Sequence, residues 1–156
     1  MTLLDLINAN LGIAHKVCRI YFRDADDRED AFQEMMYQLW RSYSRFDGRS
    51  KFSTWMYSVC LNTALTYKRK GKREKVEPLS ERHDRIDELN TDEERIELLM
   101  GQIHTLSPVS KAIMLLYLEE MSYEEIAEIT GLTKSNVSVR IMRAKQELSE
   151  KVRGKR

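Results

Sequence analysis

The sequence predicts an all-α chain folded as two small helical domains joined by a flexible linker, and three observations lead there. Apolar residues recur at three- and four-residue intervals through most of the 156 positions, the period of a helix with one buried face. Only 6 Gly and 2 Pro interrupt that pattern. Between two such stretches, Gly71–Asn90 is polar, carries Pro78 and sustains no apolar stripe, as a linker would. The expected division is therefore residues 1–70, a linker over 71–90, and residues 91–156.

In the first domain, Leu6, Ile7, Ile13, Val17, Ile20 and Tyr21 predict one helix over Leu3–Phe22. Asp24 to Asp27 interrupts it. Asp26 and Glu29, at capping-box spacing, are expected to open a second helix that runs to about Arg45. Phe32, Met35, Met36, Leu39, Trp40 and Tyr43 should form its buried side. Phe46-Asp47-Gly48-Arg49-Ser50 reads as a short loop. A third helix follows, with Phe52, Trp55, Met56, Val59 and Thr63 on one face, ending in the basic run Lys68-Arg69-Lys70 with Gly71 as a stop.

In the second domain, Thr91 to Glu94 opens a helix with the stripe Ile96, Leu99, Met100 and Ile103. Ser107-Pro108 opens the next, Ser as N-cap and Pro in the first turn, with the apolar body Ile113–Leu118. Ser122-Tyr123-Glu124-Glu125 opens a short helix, Gly131 makes a turn, and Thr133 caps a last helix from Lys134 to about Val152. A weaker helical turn is expected around Ile86–Leu89.

Composition excludes several classes. Charged residues make up 33% and apolar ones 42% of the chain, the balance of a water-soluble globular protein. No stretch approaches the roughly 18 apolar residues of a spanning helix, and the N-terminus lacks the basic start of a secretory signal. A cytoplasmic protein with no membrane insertion is expected. Cys18 and Cys60 lie in apolar helical patterns and are read as buried free thiols. His15 and Cys18 form an H-x-x-C pair, but His83 and His104 stand in no ligand spacing to it, so no metal or cofactor is expected. The chain has no P-loop, dinucleotide turn or nucleophile motif, which argues against an enzyme and a small-molecule substrate.

Charge is segregated. Residues 1–75 carry 14 Lys and Arg against 9 Asp and Glu, a surplus of five positive charges. Residues 76–130 carry 4 against 14, a surplus of ten negative, and residues 131–156 carry 8 against 2, six positive. Two polyanion-facing surfaces flanking an acidic section would produce this pattern, as would ordinary solvated helix faces.

Ser122–Leu148 holds the most specific motif. A short helix, a turn at Gly131-Leu132 and a second helix make a helix-turn-helix. Leu132, Val137 and Ile141 should pack inward, leaving Lys134, Ser138, Arg140, Arg143 and Lys145 outside, where a second helix of this kind meets the DNA major groove. A plain helical hairpin with a solvated basic face is the bland alternative. In the first domain, Phe46, Phe52, Trp55, Tyr57 and Tyr67 neighbour the basic run, the combination that single-stranded DNA binding uses. Core packing is the other role open to Phe52 and Trp55, and Asn62 either reads a base edge or is simply exposed. Asp27, Glu29, Asp30 and Glu34 favour the helix dipole or, with Gln33 and Gln38, form a polar docking surface.

Asp27-Arg28-Glu29-Asp30-Ala31-Phe32-Gln33-Glu34, Leu39-Trp40, Phe46-Asp47-Gly48 and Phe52-Ser53-Thr54-Trp55-Met56-Tyr57 closely resemble region two of the extracytoplasmic-function (ECF) sigma factors. Leu106-Ser107-Pro108, Met121–Glu128, Gly131-Leu132 and Val137 resemble their region four. The resemblance covers about residues 10–150, with both motif sets in family order. It implies a non-catalytic initiation factor that binds core RNA polymerase and promoter DNA, often under an anti-sigma factor.

The resemblance also implies residue roles. Asp30, Gln33 and Glu34 match the D-x-x-Q-E pattern that docks on a coiled coil of the polymerase's largest subunit. Phe46, Asp47, Gly48, Arg49 and Ser50, with Phe52 and Trp55, match the segment that takes a flipped base of the minus-ten element. Asn62 matches the Asn of the region-two recognition helix, and Lys68, Arg69 and Lys70 would follow the DNA backbone. Lys134, Ser138, Val139, Arg140, Arg143 and Lys145 would meet the minus-thirty-five duplex, while the linker threads into polymerase. Many relatives carry a basic residue and then Ser before the Arg that matches Arg140. This chain has Ser138-Val139-Arg140, so no promoter preference is carried over.

Overall fold

The computed structural model describes residues 1–70 and 92–153, and the side chains of residues 1–68 and 92–150. Among the described residues the fold is all-α. The expectations for Gly71, for Ile86–Leu89, for a cap at Thr91 and for a linker at 71–90 fall outside them.

The first half holds four helices: α1 (Leu3–Ala9), α2 (Leu11–Tyr21), α3 (Ala25–Ser42) and α4 (Phe52–Lys70). The single helix expected over Leu3–Phe22 is two. Asn10 leaves helical geometry at φ −123°, ψ 20°, and its side-chain amide donates to the Leu6 carbonyl at 2.9 Å. Asn competes in this way with the backbone for hydrogen bonds, which is why it breaks helices. Thr2 and Asp5 form a capping box on α1.

The cap of α3 is Asp24, which accepts from the Asp26 amide at 3.3 Å, rather than an Asp26–Glu29 box. α3 stops at Ser42, whose hydroxyl donates to the Gln38 carbonyl at 2.5 Å, and Tyr43–Arg45 tightens into one 3-10 turn. The buried spine of α3 is Ala31, Met35 and Leu39, spaced by four, and it packs on α4 through Met56, Cys60 and Ala64. Trp40, expected on the buried side, is 69% exposed. A stripe centred on positions 31, 35 and 39 turns residue 40 about 100° away from the core.

The second half follows as α5 (Asp92–His104), α6 (Pro108–Leu118), α7 (Tyr123–Thr130) and α8 (Lys134–Arg153). Ser107 caps α6 with Pro108 in its first turn, and Ser122 and Glu125 form a capping box on α7. Thr133 accepts from the Asn136 amide at 3.1 Å at the start of α8. Gly131 takes φ 77°, a left-handed C-cap that glycine enters without steric cost. On α5 the buried residues are Leu98, Gln102 and Ile103. Ile96 and Leu99, expected in its stripe, face outward, Ile96 being 53% exposed. Leu118, at the end of the expected α6 body, is exposed as well.

Cys18 and Cys60 are free, buried thiols. Burial pushes Cys18 up to about 11 and Cys60 to about 12, so neither forms an appreciable thiolate at neutral pH. The buried residues of the two halves join in one continuous core running from Ile7 to Leu148. α5 and α6 rest against α2, and α7 against α4.

Candidate nucleic-acid interface

Three surfaces collect the residues that the sequence singles out. On α3, Asp30 and Gln33 are exposed, and Glu34 is half-buried and accepts from the Gln38 amide at 2.8 Å. Their spacing continues along the same face to Tyr37 and Trp40, whose rings lie 6.4 Å apart. Tyr37 is 51% exposed. An acidic and amide patch running into two solvent-facing aromatics suits a partner surface, where aromatic residues are over-represented. Sequence periodicity assigns Trp40 to the core, so its exposure is the feature that the one-dimensional pattern misses. At the other side of the patch, Asp30 lies beside the Tyr67 hydroxyl, whose pKa is raised by burial first and then by the charges of Asp30 and Asp27.

The second surface surrounds the loop after α3. Tyr43, Phe46, Phe52 and Trp55 form one aromatic cluster: Phe46 to Trp55 is 5.2 Å between ring centres, Phe52 to Trp55 5.4 Å and Phe46 to Phe52 5.9 Å. All four rings are half-buried. Each therefore packs and is also within reach of a ligand, which joins the two roles left open for Phe52 and Trp55. The cluster anchors both ends of the loop. Between them, Gly48 takes φ 78°, and the Asp47 carboxylate accepts from the Arg49 amide at 3.0 Å and pairs with its Nε at 3.1 Å. Arg49 projects almost fully into solvent, and Ser50 closes the loop half-buried.

Along α4, Asn62 is exposed, flanked by half-buried Ser58 and exposed Thr66 one turn away on either side. This polar stripe leads toward the basic end of the helix. Lys68 is half-buried, its ammonium 5.9 Å from the centre of the Phe22 ring. Arg69 and Lys70 belong to α4 by backbone, with side chains outside the described residues.

The third surface is the outer side of α8. Val137, Ile141, Ala144 and Leu148 are buried, which fixes the rotation of the helix and turns Lys134, Ser138, Val139 and Arg143 to solvent. Lys134 pairs with Glu124 at 3.2 Å. The Arg140 Nε donates to Asn136 at 2.9 Å, which leaves the remaining guanidinium donors for another acceptor. Lys145 departs from this row. Its ammonium lies 4.4 Å from the centre of the Tyr117 ring on α6, and the hydrogen bond with that phenol raises its pKa. Met142, not singled out by the sequence, is also exposed beside Val139. A cationic helix held by its apolar face and bracketed by a tight turn has the shape of a major-groove reader.

No helix among the described residues is long and apolar enough to cross a membrane. The family described as Sigma-70 region 2 matches residues 6–74, and Sigma-70, region 4 matches residues 96–148. The chain is 32% identical over 142 residues to the ECF RNA polymerase sigma-E factor of Haemophilus influenzae, covering 81% of this chain and 75% of that protein. It is 31% identical over 159 residues to the sigma-E factor of Escherichia coli K12, covering 88% and 81%. Among solved structures, the sigma factor RpoE in complex with the anti-sigma factor NepR from Bartonella quintana shares the fold. Its TM-score is 0.71, with 19% identity and 98% of this chain and 97% of that one covered. CnrH in complex with the cytosolic domain of CnrY does so as well, with a TM-score of 0.71, 20% identity, and coverage of 99% and 89%. The chain therefore belongs to the ECF RNA polymerase sigma factors, with a region 2 in its first half and a region 4 in its second.

Proposed function

We propose that this sigma factor divides its work among the three surfaces described above. Asp30, Gln33 and Glu34 on α3, extended by Tyr37 and Trp40, dock on core RNA polymerase. The loop Phe46–Ser50, with Phe52 and Trp55, takes an unstacked base of the minus-ten element, and Asn62, Lys68, Arg69 and Lys70 follow the opened strand. Lys134, Ser138, Val139, Arg140 and Arg143 meet the minus-thirty-five duplex from α8. Lys145, held against Tyr117, braces α8 on α6 and reaches DNA only from the edge of that footprint.

Residues 1–70 and 91–156 act as two modules with 71–90 as the connection. The protein works in the cytoplasm, without catalysis or cofactor. The two solved relatives in complexes with anti-sigma factors support a protein inhibitor as a further partner.

The observation that carries this reading is the exposure of Trp40 in line with Asp30 and Gln33. A free-standing DNA-binding repressor has no use for such a face. Buried aromatic anchors dominate protein interfaces, and truncating one costs about 2 kcal/mol or more. Trp40→Ala should therefore weaken co-migration with core polymerase by at least about tenfold while leaving the thermal midpoint unchanged. Undiminished binding would remove α3 from the interface.

A further inference from the structure

The two halves are fastened by a specific set of contacts along α2. Lys16, Arg19 and Arg23 form one stripe on its outer side, at spacings of three and four. Lys16 pairs with Glu119 at 2.6 Å, at the end of α6. Arg19 pairs with Glu97 on α5, and Arg23 donates to the Gly101 carbonyl at 3.4 Å. Beneath the stripe, the Tyr21 hydroxyl donates to the Pro108 carbonyl at 2.5 Å. His104 Nδ1 donates to the Ile20 carbonyl at 2.8 Å. Glu119 also stands near the hydroxyl of Tyr57 on α4, which is buried with no hydrogen-bond partner among the described residues. Every one of these contacts joins residues more than 60 positions apart, so all of them vanish if the halves separate.

A closed form has a geometric consequence. The minus-ten and minus-thirty-five elements lie roughly 25 base pairs apart, or about 85 Å at about 3.4 Å per pair. A compact chain of this length has a radius of gyration of about 15 Å, hence a diameter of about 40 Å. The closed molecule therefore cannot place α4 on one element and α8 on the other. With the halves apart, the chain between Lys70 and Asp92 reaches at most about 70 Å, and the bodies of the two halves supply the remaining span.

We propose that the α2 stripe Lys16-Arg19-Arg23 and its partners Glu97, Gly101 and Glu119 form an intramolecular latch, holding the free chain in a closed state that must part before both promoter elements are engaged. The promoter consequence rests on the sigma-factor reading; the latch itself does not. Exposed ion pairs contribute little singly, so the latch is reversible and yields to a partner that binds only the open form. The fraction of open molecules then scales the apparent affinity for that partner.

Solution scattering on the free, full-length chain tests this without polymerase or DNA. The unmodified protein should give a radius of gyration of about 15 Å. Lys16→Glu with Arg19→Glu places like charges against Glu119 and Glu97 and should raise it to about 25 Å, the value for two half-sized bodies spread along the connection. Adding Glu97→Arg and Glu119→Arg restores both pairs and should return it to about 15 Å. If circular dichroism shows that the double reversal has lost helix, the single exposed change Arg19→Glu carries the same comparison. An unmodified chain that is already extended, a reversal variant as compact as the unmodified chain, or a four-site variant as open as the two-site one would each overturn the latch. Failure to bind polymerase would instead strike the functional reading and leave the scattering result standing.

Discussion

Glu120 sits where the chain leaves α6, at φ 62°. Around it the Met121 amide donates to the Leu116 carbonyl at 3.2 Å and the Glu120 amide to the Tyr117 carbonyl at 3.0 Å. That is the paired bonding of a Schellman cap, whose left-handed position glycine normally fills. A side chain there costs about 1 kcal/mol, so Glu120→Gly should raise the denaturation midpoint by a few degrees, as calorimetry would show. His104 holds a second residue-scale constraint. Burial, followed by the charges of Lys111, Arg23 and Lys68, lowers its pKa from 6.5 to about 4, while its bond to the Ile20 carbonyl partly opposes the shift. The folded state thus prefers the neutral ring. The stability this gives is complete above pH 6.5 and is lost as pH falls toward 4. His104→Asn keeps a donor near Nδ1 but cannot titrate. Urea midpoints measured across that window should fall less steeply in the variant; equal slopes would mean that other groups carry the pH dependence.

Helices are legible at the element scale wherever a periodic stripe coincides with a cap. Ser107-Pro108, the Ser122–Glu125 box, Gly131 and Thr133 place α6, α7 and α8 to within a residue or two, because each cap satisfies orphan backbone groups locally. Asn10 hides inside a continuous apolar pattern and so conceals the break between α1 and α2. Trp40 and Ile96 look like core because hydrophobic periodicity counts apolar residues without knowing which side a neighbouring helix covers. Met142 and Tyr37 escape notice for the related reason that one exposed apolar residue carries no pattern. The family motifs point to α3, the Phe46–Ser50 loop and α8, while the packing of Lys145 on Tyr117 requires the third dimension. On α8 the proposed division of labour is testable. Arg140→Ala with Arg143→Ala should weaken binding to a minus-thirty-five duplex and reduce the salt slope by about one unit for each phosphate left without its arginine. Unchanged affinity and slope would take this face away from DNA.

Across the whole molecule, the charge blocks and the polar stretch at 71–90 point to a two-part organisation, yet nothing in local periodicity reveals that both parts share one core. Contacts such as Lys16 to Glu119 and Tyr21 to Pro108 span 103 and 87 positions, a separation that no windowed pattern encodes. The shared core also explains why an ECF sigma factor with two DNA-facing surfaces need not bind promoters by itself. Each surface is small, the closed form holds them too close together, and polymerase supplies the separation at which they act jointly. The most direct test of that account is run-off transcription on fragmented genomic DNA, using core polymerase from the source organism with and without the protein. Transcripts that start at defined positions only when the protein is added, with two shared upstream elements, are the predicted result. No new starts, together with specific binding of the free protein to duplex DNA, would contradict it.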